Sequence, residues 1–131
     1  MILVDTSVWI NYFNGLSTKQ TDSLDRILSD QTVLLGDIIL TEILQGFDSE
    51  KEFQLAKQAL DPLDCVQLGG KSLAIKAASN FRFLRSKGIT IRKTVDMLIA
   101  SWCMEQNIEL LHHDKDFDRI ATQLPLKVYL S

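Results

Sequence analysis

The chain has 131 residues, 46% of them hydrophobic, which is the size of one ordinary domain with a substantial core. Its longest apolar runs, such as Ile38 to Leu40 and Met97 to Ala100, stop far short of the roughly 20 residues that a membrane span needs. Asp5 interrupts the N-terminal apolar run before a signal peptide could form, so a single cytoplasmic domain over residues 1–131 is expected.

In chain order, Ile2 to Val4 reads as a short buried strand ending at Asp5, and Thr6 or Ser7 can cap a helix with Trp9, Tyr12 and Phe13 on one face. Leu24, Ile27 and Leu28 mark a second helix, and Val33 to Leu35 a buried strand closed by Gly36. Asp37 is a fitting cap for a helix running to Gly46, and Ser49 or Glu50 starts another toward Leu60, where Asp61-Pro62 stops it. A short strand is expected within Leu63 to Leu68. Leu73, Ala77, Phe81 and Leu84 then follow helical spacing up to Gly88. Thr94 can cap a helix that is apolar nearly all round, with Asp96 in its first turn. Leu110 and Leu111 form another strand, Asp114 begins a helix through Phe117, Ile120 and Ala121, and Val128 to Leu130 can close the sheet. Short apolar strands alternating with helices predict an α/β fold, because parallel neighbours need crossover connections. Cys65 and Cys103 lack metal-site spacing and are read as reduced core thiols.

The net charge of −3 weighs against a polyanionic partner, yet charge is unevenly spread. Cys65 to Val95 contains no acid but holds Lys71, Lys76, Arg82, Arg85, Lys87, Arg92 and Lys93, half of the fourteen Lys and Arg, and it leads straight into Asp96. A solvated helix face explains such a stretch, and so does a phosphate-binding surface.

Five acids lie within or at the ends of apolar segments: Asp5, Glu42, Asp96, Asp114 and Asp116. A buried carboxylate costs several kcal/mol unless a cation or hydrogen-bond donors compensate it. Taken singly, Asp5 and Asp114 could be helix caps and Asp96 could answer the helix dipole, whereas mid-helix Glu42 has no capping role and its alternative is a place on the polar side of an amphipathic helix. Asp116 could bind metal, favour its helix start or orient Lys115, and Asp118 is read as surface. His112 and His113 read as polar residues of a strand exit, since no second imidazole stands at ligand spacing. Thr6 and Ser7 lack a serine-hydrolase context and are better suited to hydrogen-bonding a carboxylate or a water. In parallel α/β folds functional groups gather beyond the carboxyl ends of strands, where these acids can meet. Carboxylate oxygens select Mg²⁺ or Mn²⁺, and such an ion suits phosphodiester hydrolysis by neutralising a phosphate oxygen and acidifying the attacking water.

Four segments, VDTSVWI at Val4 to Ile10, ILTEILQG around Glu42, TVDMLIA around Asp96 and LLHHDKDFDRIA around Asp114, together resemble the PIN-domain ribonucleases, above all the VapC toxins of toxin-antitoxin pairs. The resemblance covers nearly the whole chain. It implies a three-layer PIN-like fold with a central, mainly parallel sheet flanked by helices. By position, Asp5, Glu42, Asp96 and Asp114 match the acidic quartet and Asp116 an additional acid, all five as metal ligands, with Thr6 or Ser7 supporting the first Asp. The implied activity is Mg²⁺- or Mn²⁺-dependent endoribonuclease cleavage of structured RNA, often transfer RNA. A homodimer and inhibition by a small VapB-type antitoxin are also implied, with DNA bound only through the antitoxin. Arg85, Arg92 and Lys93 are candidates for RNA phosphates. Trp9, Tyr12 and Phe13 could line an antitoxin groove or simply pack the core. A noncatalytic RNA- or partner-binding scaffold is the alternative. A haloacid-dehalogenase-type phosphatase would need a second Asp where Ser7 stands, and a receiver-type domain a differently spread acid set.

Overall fold

A computed structural model describes residues 1–130. Its elements follow the expected alternation: β1 (Ile2–Val4), α1 (Thr6–Phe13), α2 (Lys19–Asp30), β2 (Val33–Gly36), α3 (Asp37–Gln45), α4 (Glu50–Leu60), β3 (Asp64–Val66), α5 (Lys71–Ser86), α6 (Thr94–Gln106), β4 (Glu109–Leu111) and α7 (Lys115–Ala121). The strands form one sheet in the order β3-β2-β1-β4, every pair parallel, with Leu3 opposite Leu34 on one side and Leu110 on the other. Val128 extends the β4 edge through a parallel bridge to Leu110, where the sequence placed a closing strand. The sheet is wholly rather than mainly parallel, and it forms the middle layer of a three-layer α/β fold. α1 packs against α2 and α3, and α6 against α5 and α7.

The two central strands are apolar throughout because they are covered on both faces. Ile2, Leu3, Val4, Leu34 and Leu35 are all buried, as are Ile39, Ile99, Leu110, Leu111 and Phe117 around them. Local chemistry fixes the helix ends. Thr18 and Thr21 form a reciprocal capping box at α2, and Ser49 caps α4 by accepting from the Glu52 N–H at 3.0 Å. Three starts differ from expectation, the first being α1, whose cap is Asp5 rather than Thr6 or Ser7. Asp37 is the first residue of α3 rather than its cap, and its Oδ1 accepts from the Ile38 and Leu68 N–H groups at 2.8 and 2.9 Å, fastening the chain beyond β3. Lys93, not Thr94, is the cap residue of α6, without a side-chain hydrogen bond to the helix.

Cys65 corrects the reading of both cysteines as core thiols. It is free but exposed, because β3 is the edge strand with one neighbour, whereas Cys103 on α6 is buried and burial pushes its thiol pKa up to about 12. Gly36 sits where β2 meets the fully buried Leu68, and a Cβ there would overlap Leu68 Cδ1 and stand 3.0 Å from its Cγ. Gly36→Ala is expected to cost about 1–3 kcal/mol through overpacking, visible as a fall in Tm of about 5 °C or more. An unchanged Tm would mean that Leu68 moves aside freely. No helix among the described residues is long and apolar enough to cross a membrane.

Candidate active site at the carboxyl edge of the sheet

The strand order sets the site. The chain moves from β1 outward to β2 and β3, then returns to place β4 on the other side of β1, so the order of strand addition reverses between β1 and β4 while all strands stay parallel. Crevices form beyond the carboxyl ends of strands at such a reversal. Asp5 follows β1 and His112 to Asp114 follow β4, and the two exits are stitched together: the Asp5 N–H donates to the Leu111 carbonyl at 2.9 Å.

Asp5 is both a helix cap and a site carboxylate. Its Oδ2 accepts from the Ser7 N–H at 3.0 Å and from the Ser7 hydroxyl at 2.6 Å. Ser7 Oγ in turn accepts from the His113 N–H at 3.0 Å, so one hydroxyl joins the first acid to the β4 exit. Thr6 faces the other way and donates to Glu42 Oε1 at 2.7 Å. The sequence left open which hydroxyl serves a carboxylate; each serves its own. Glu42 thereby reaches the site from α3, half-buried.

Burial raises the pKa of Asp5, and the charge of Glu42 adds to it against the lowering effect of the Ser7 hydrogen bonds. Asp96 is raised as well. It is 5% exposed in the first turn of α6, and burial, followed by the charges of Asp5 and Asp114, pushes its pKa to about 7 against the opposing pull of Lys93. Its Oδ2 is buried with no hydrogen-bond partner among the described residues. A desolvated carboxylate oxygen of this kind is rare, because native structures pair nearly all buried polar atoms.

Asp114 caps α7, its Oδ1 accepting from the Asp116 N–H at 2.9 Å, while Oδ2 lies 3.8 Å from Lys93 Nζ. Asp116 Oδ1 accepts from Arg119 Nη1 at 3.2 Å, and the same nitrogen donates to the Thr90 carbonyl at 3.4 Å, tying the loop before α6 to α7. The sequence reading missed Arg119, although the i, i+3 spacing from Asp116 hinted at the pair. It also missed the bond between the Asp114 N–H and His112 Nδ1, 3.1 Å long. His112 is buried, and desolvation lowers its pKa, so the ring is neutral near pH 7. His113 is exposed, with Nδ1 3.4 Å from Asn11 Nδ2.

Asp5, Asp96 and Asp114 thus share one electrostatic environment, Glu42 is coupled to Asp5, and Asp116 to Asp96. Among the described residues no group of three or more acids, imidazoles or thiols closes around one point. The donor set nevertheless fits a hard divalent cation: oxygen ligands alone, an unpaired buried oxygen on Asp96, and mutual repulsion that a cation would relieve. Of Arg85, Arg92 and Lys93, Lys93 alone pairs with an acid among the described residues. Arg92 lies in the adjoining loop, and Arg85 sits on α5 with its guanidinium 5.4 Å from the Phe81 ring centre.

Residues 2–123 match the PIN domain family, a span that includes all five acids. Among curated proteins the chain is 29% identical to VapC ribonuclease Mb1587 of Mycobacterium bovis and, likewise, to ribonuclease VapC11 of Mycobacterium tuberculosis, over 123 residues and 92% of each chain. Its fold is similar to that of VapBC2 from Rickettsia felis, solved bound to a promoter DNA fragment, with TM-score 0.77, 21% identity and 98% of each chain covered. It is also similar to VapC20 of Mycobacterium tuberculosis, described as a sarcin-ricin loop cleaving toxin, with TM-score 0.68, 17% identity and 95% and 96% covered. With the sheet order, the carboxylates at its carboxyl edge and this match over nearly its full length, the chain belongs to the PIN domain family.

Proposed function

We propose that the chain is a metal-dependent endoribonuclease of the toxin kind, hydrolysing phosphodiester bonds of structured RNA such as transfer RNA and restrained by a small VapB-type antitoxin. The observation that carries this reading is the buried, unpaired carboxylate oxygen of Asp96 beside the charges of Asp5 and Asp114. The ribonuclease names of the curated relatives support the same class of reaction. Asp5, Asp96 and Asp114 would hold Mg²⁺ or Mn²⁺, with Asp116 beside them. Such an ion supplies charge neutralisation at the phosphate and an acidified attacking water. Glu42, fixed by Thr6, would orient an attacking water and accept its proton. Ser7 holds Asp5 in place, and Lys93, two-thirds exposed, turns from Asp114 to a substrate phosphate.

The partner side of the proposal has its own support. Phe13 and Phe47, with ring centres 5.9 Å apart, line a cavity of about 560 Å³ with Leu55, which is 56% exposed, and Ala56. Aromatic anchors and open apolar surface suit an amphipathic antitoxin segment. Trp9 is buried behind them and belongs to the core. We also propose a homodimer, supported by the exposed Ile75 and Phe83 on α5; its measured mass in solution decides.

The deciding experiment is cleavage of a transfer-RNA pool by the purified, antitoxin-free chain with Mn²⁺, Mg²⁺ or EDTA. Discrete fragments with either ion and none with EDTA are expected. If the folded, metal-bound protein leaves transfer RNA and total RNA intact, the noncatalytic scaffold is the better reading. A second experiment addresses the basic loop. Replacing Arg92 and Lys93 by Ala is expected to weaken RNA binding and flatten the log–log salt dependence by roughly 1.4 for single-stranded contacts. An unchanged slope would move the RNA surface away from this loop.

A further inference from the structure

His112 buries a polar ring at the exit of β4, where a strand built on Leu110 and Leu111 would accept an apolar side chain. A buried polar group is retained at a cost unless its hydrogen bonds are used. Only one is used here. Nδ1 accepts from the Asp114 N–H at 3.1 Å, whereas Nε2, 3.3 Å from Asp118 Oδ1, has no aligned hydrogen-bond partner among the described residues. Because a backbone N–H can only donate, Nδ1 carries no proton. The ring is held from its side by Phe117, with centroids 5.1 Å apart.

The bond runs from residue i to the N–H of residue i+2. That is the pattern of an Asx turn, in which an Asn or Asp oxygen fixes the backbone two residues ahead. The consequence falls on Asp114. Its own Oδ1 is committed to the Asp116 N–H at 2.9 Å, which leaves Oδ2, 3.8 Å from Lys93 Nζ, as the oxygen that can face the site. The direction of Oδ2 depends on how the Asp114 backbone is set, and the N–H of that backbone is held by His112 Nδ1.

We infer that His112 is a positioning residue for Asp114, its unprotonated Nδ1 doing the work of an Asx-turn oxygen so that Asp114 Oδ2 is presented to the cation of the acidic site. The inference rests on the metal-site reading above, and its test separates the two. Asn places an oxygen near the position of Nδ1 and can rebuild the turn. Gln is polar and of similar volume but places its oxygen near Nε2, too far along the side chain. Both replacements lose the packing on Phe117, so both are expected to lower Tm to a similar extent.

Two quantities would be measured on the full chain, wild type, His112→Asn, His112→Gln and Asp114→Asn: the exchange rate of the Asp114 amide by NMR in EDTA, and Mn²⁺ affinity by calorimetry. His112→Asn is expected to keep the Asp114 amide protected and Mn²⁺ affinity within about threefold of wild type. His112→Gln is expected to speed exchange at that amide at least tenfold and to weaken Mn²⁺ binding about 10–100-fold, the usual effect of losing a group that orients a ligand. Equal behaviour of the Asn and Gln variants in both measurements would overturn the inference, since ring volume alone would then matter. If the amide follows the Asn/Gln pattern while Asp114→Asn leaves Mn²⁺ affinity unchanged, the positioning of Asp114 stands and its assignment as a metal ligand falls.

Discussion

Asp96→Asn is expected to abolish RNA cleavage, by at least about 10³-fold, or some 4 kcal/mol of transition-state stabilisation, while making the metal-free protein more stable at neutral pH. The two effects share one cause. Asp96 is buried in the first turn of α6 among Met97, Ile99 and Ala100, and the charges of Asp5 and Asp114 oppose its ionisation. Its pKa stands at about 7 against 3.8 for the free side chain. A carboxyl raised in the native state binds its proton more tightly there than in the unfolded chain, so its favourable contribution is fully present in acid and is lost as pH rises through 7. Asn carries no charge at any pH. In EDTA the variant should therefore match wild type near pH 4 and melt about 3 °C or more above it near pH 8, the gap opening between those limits. Saturating Mn²⁺ should reverse the order, because only wild type gains ligand-linked stability. Thermal melts across pH with and without Mn²⁺, run beside the cleavage assay, check all three statements. Full cleavage by Asp96→Asn would remove Asp96 from the metal site.

The sequence carried the element order because the strands are short, the two central ones are apolar throughout, and β1 and β2 are closed by a polar or glycine residue. Leu3, Leu34 and Leu110 lie side by side for that reason. Pattern alone could not show which strand would lie at the edge, and Cys65 was assigned to the core in consequence: β3 has only one neighbour, which leaves Asp64 and Cys65 exposed. The acids were legible because mid-helix Glu42 and the acids at strand ends conflict with apolar surroundings. Their supports were less so. Thr6 and Ser7 are adjacent and chemically alike, and only the helical turn that follows Asp5 sends one toward α3 and the other back to the cap. Arg119 meets the Thr90 carbonyl across 29 residues of sequence, a contact no local pattern encodes. His112 was passed over because an imidazole accepting from i+2 has no composition signal, although its strand-exit position was correctly read.

Ser7→Ala is expected to slow cleavage about 10–100-fold without removing any carboxylate, the range typical of losing a group that orients a metal ligand. Ser7 Oγ has two partners on two strand exits: it donates to Asp5 Oδ2 at 2.6 Å and accepts from the His113 N–H at 3.0 Å. Removing it leaves Asp5 Oδ2 with the Ser7 N–H alone and frees the β4 exit from β1 on that side. The change has a signature that simple loosening lacks. The Ser7 hydrogen bonds are the largest influence lowering the Asp5 pKa against burial, so without the hydroxyl that pKa rises and the acid limb of the pH–rate profile moves to higher pH. Thr6→Val offers the contrast, since it deprives Glu42 rather than Asp5 of its partner and should lower the rate while leaving the Asp5-dependent limb closer to its wild-type position. Rate–pH profiles of the two variants at saturating Mn²⁺ distinguish these roles. Coincident profiles would mean that the hydroxyls act as a single structural unit rather than each through its own carboxylate.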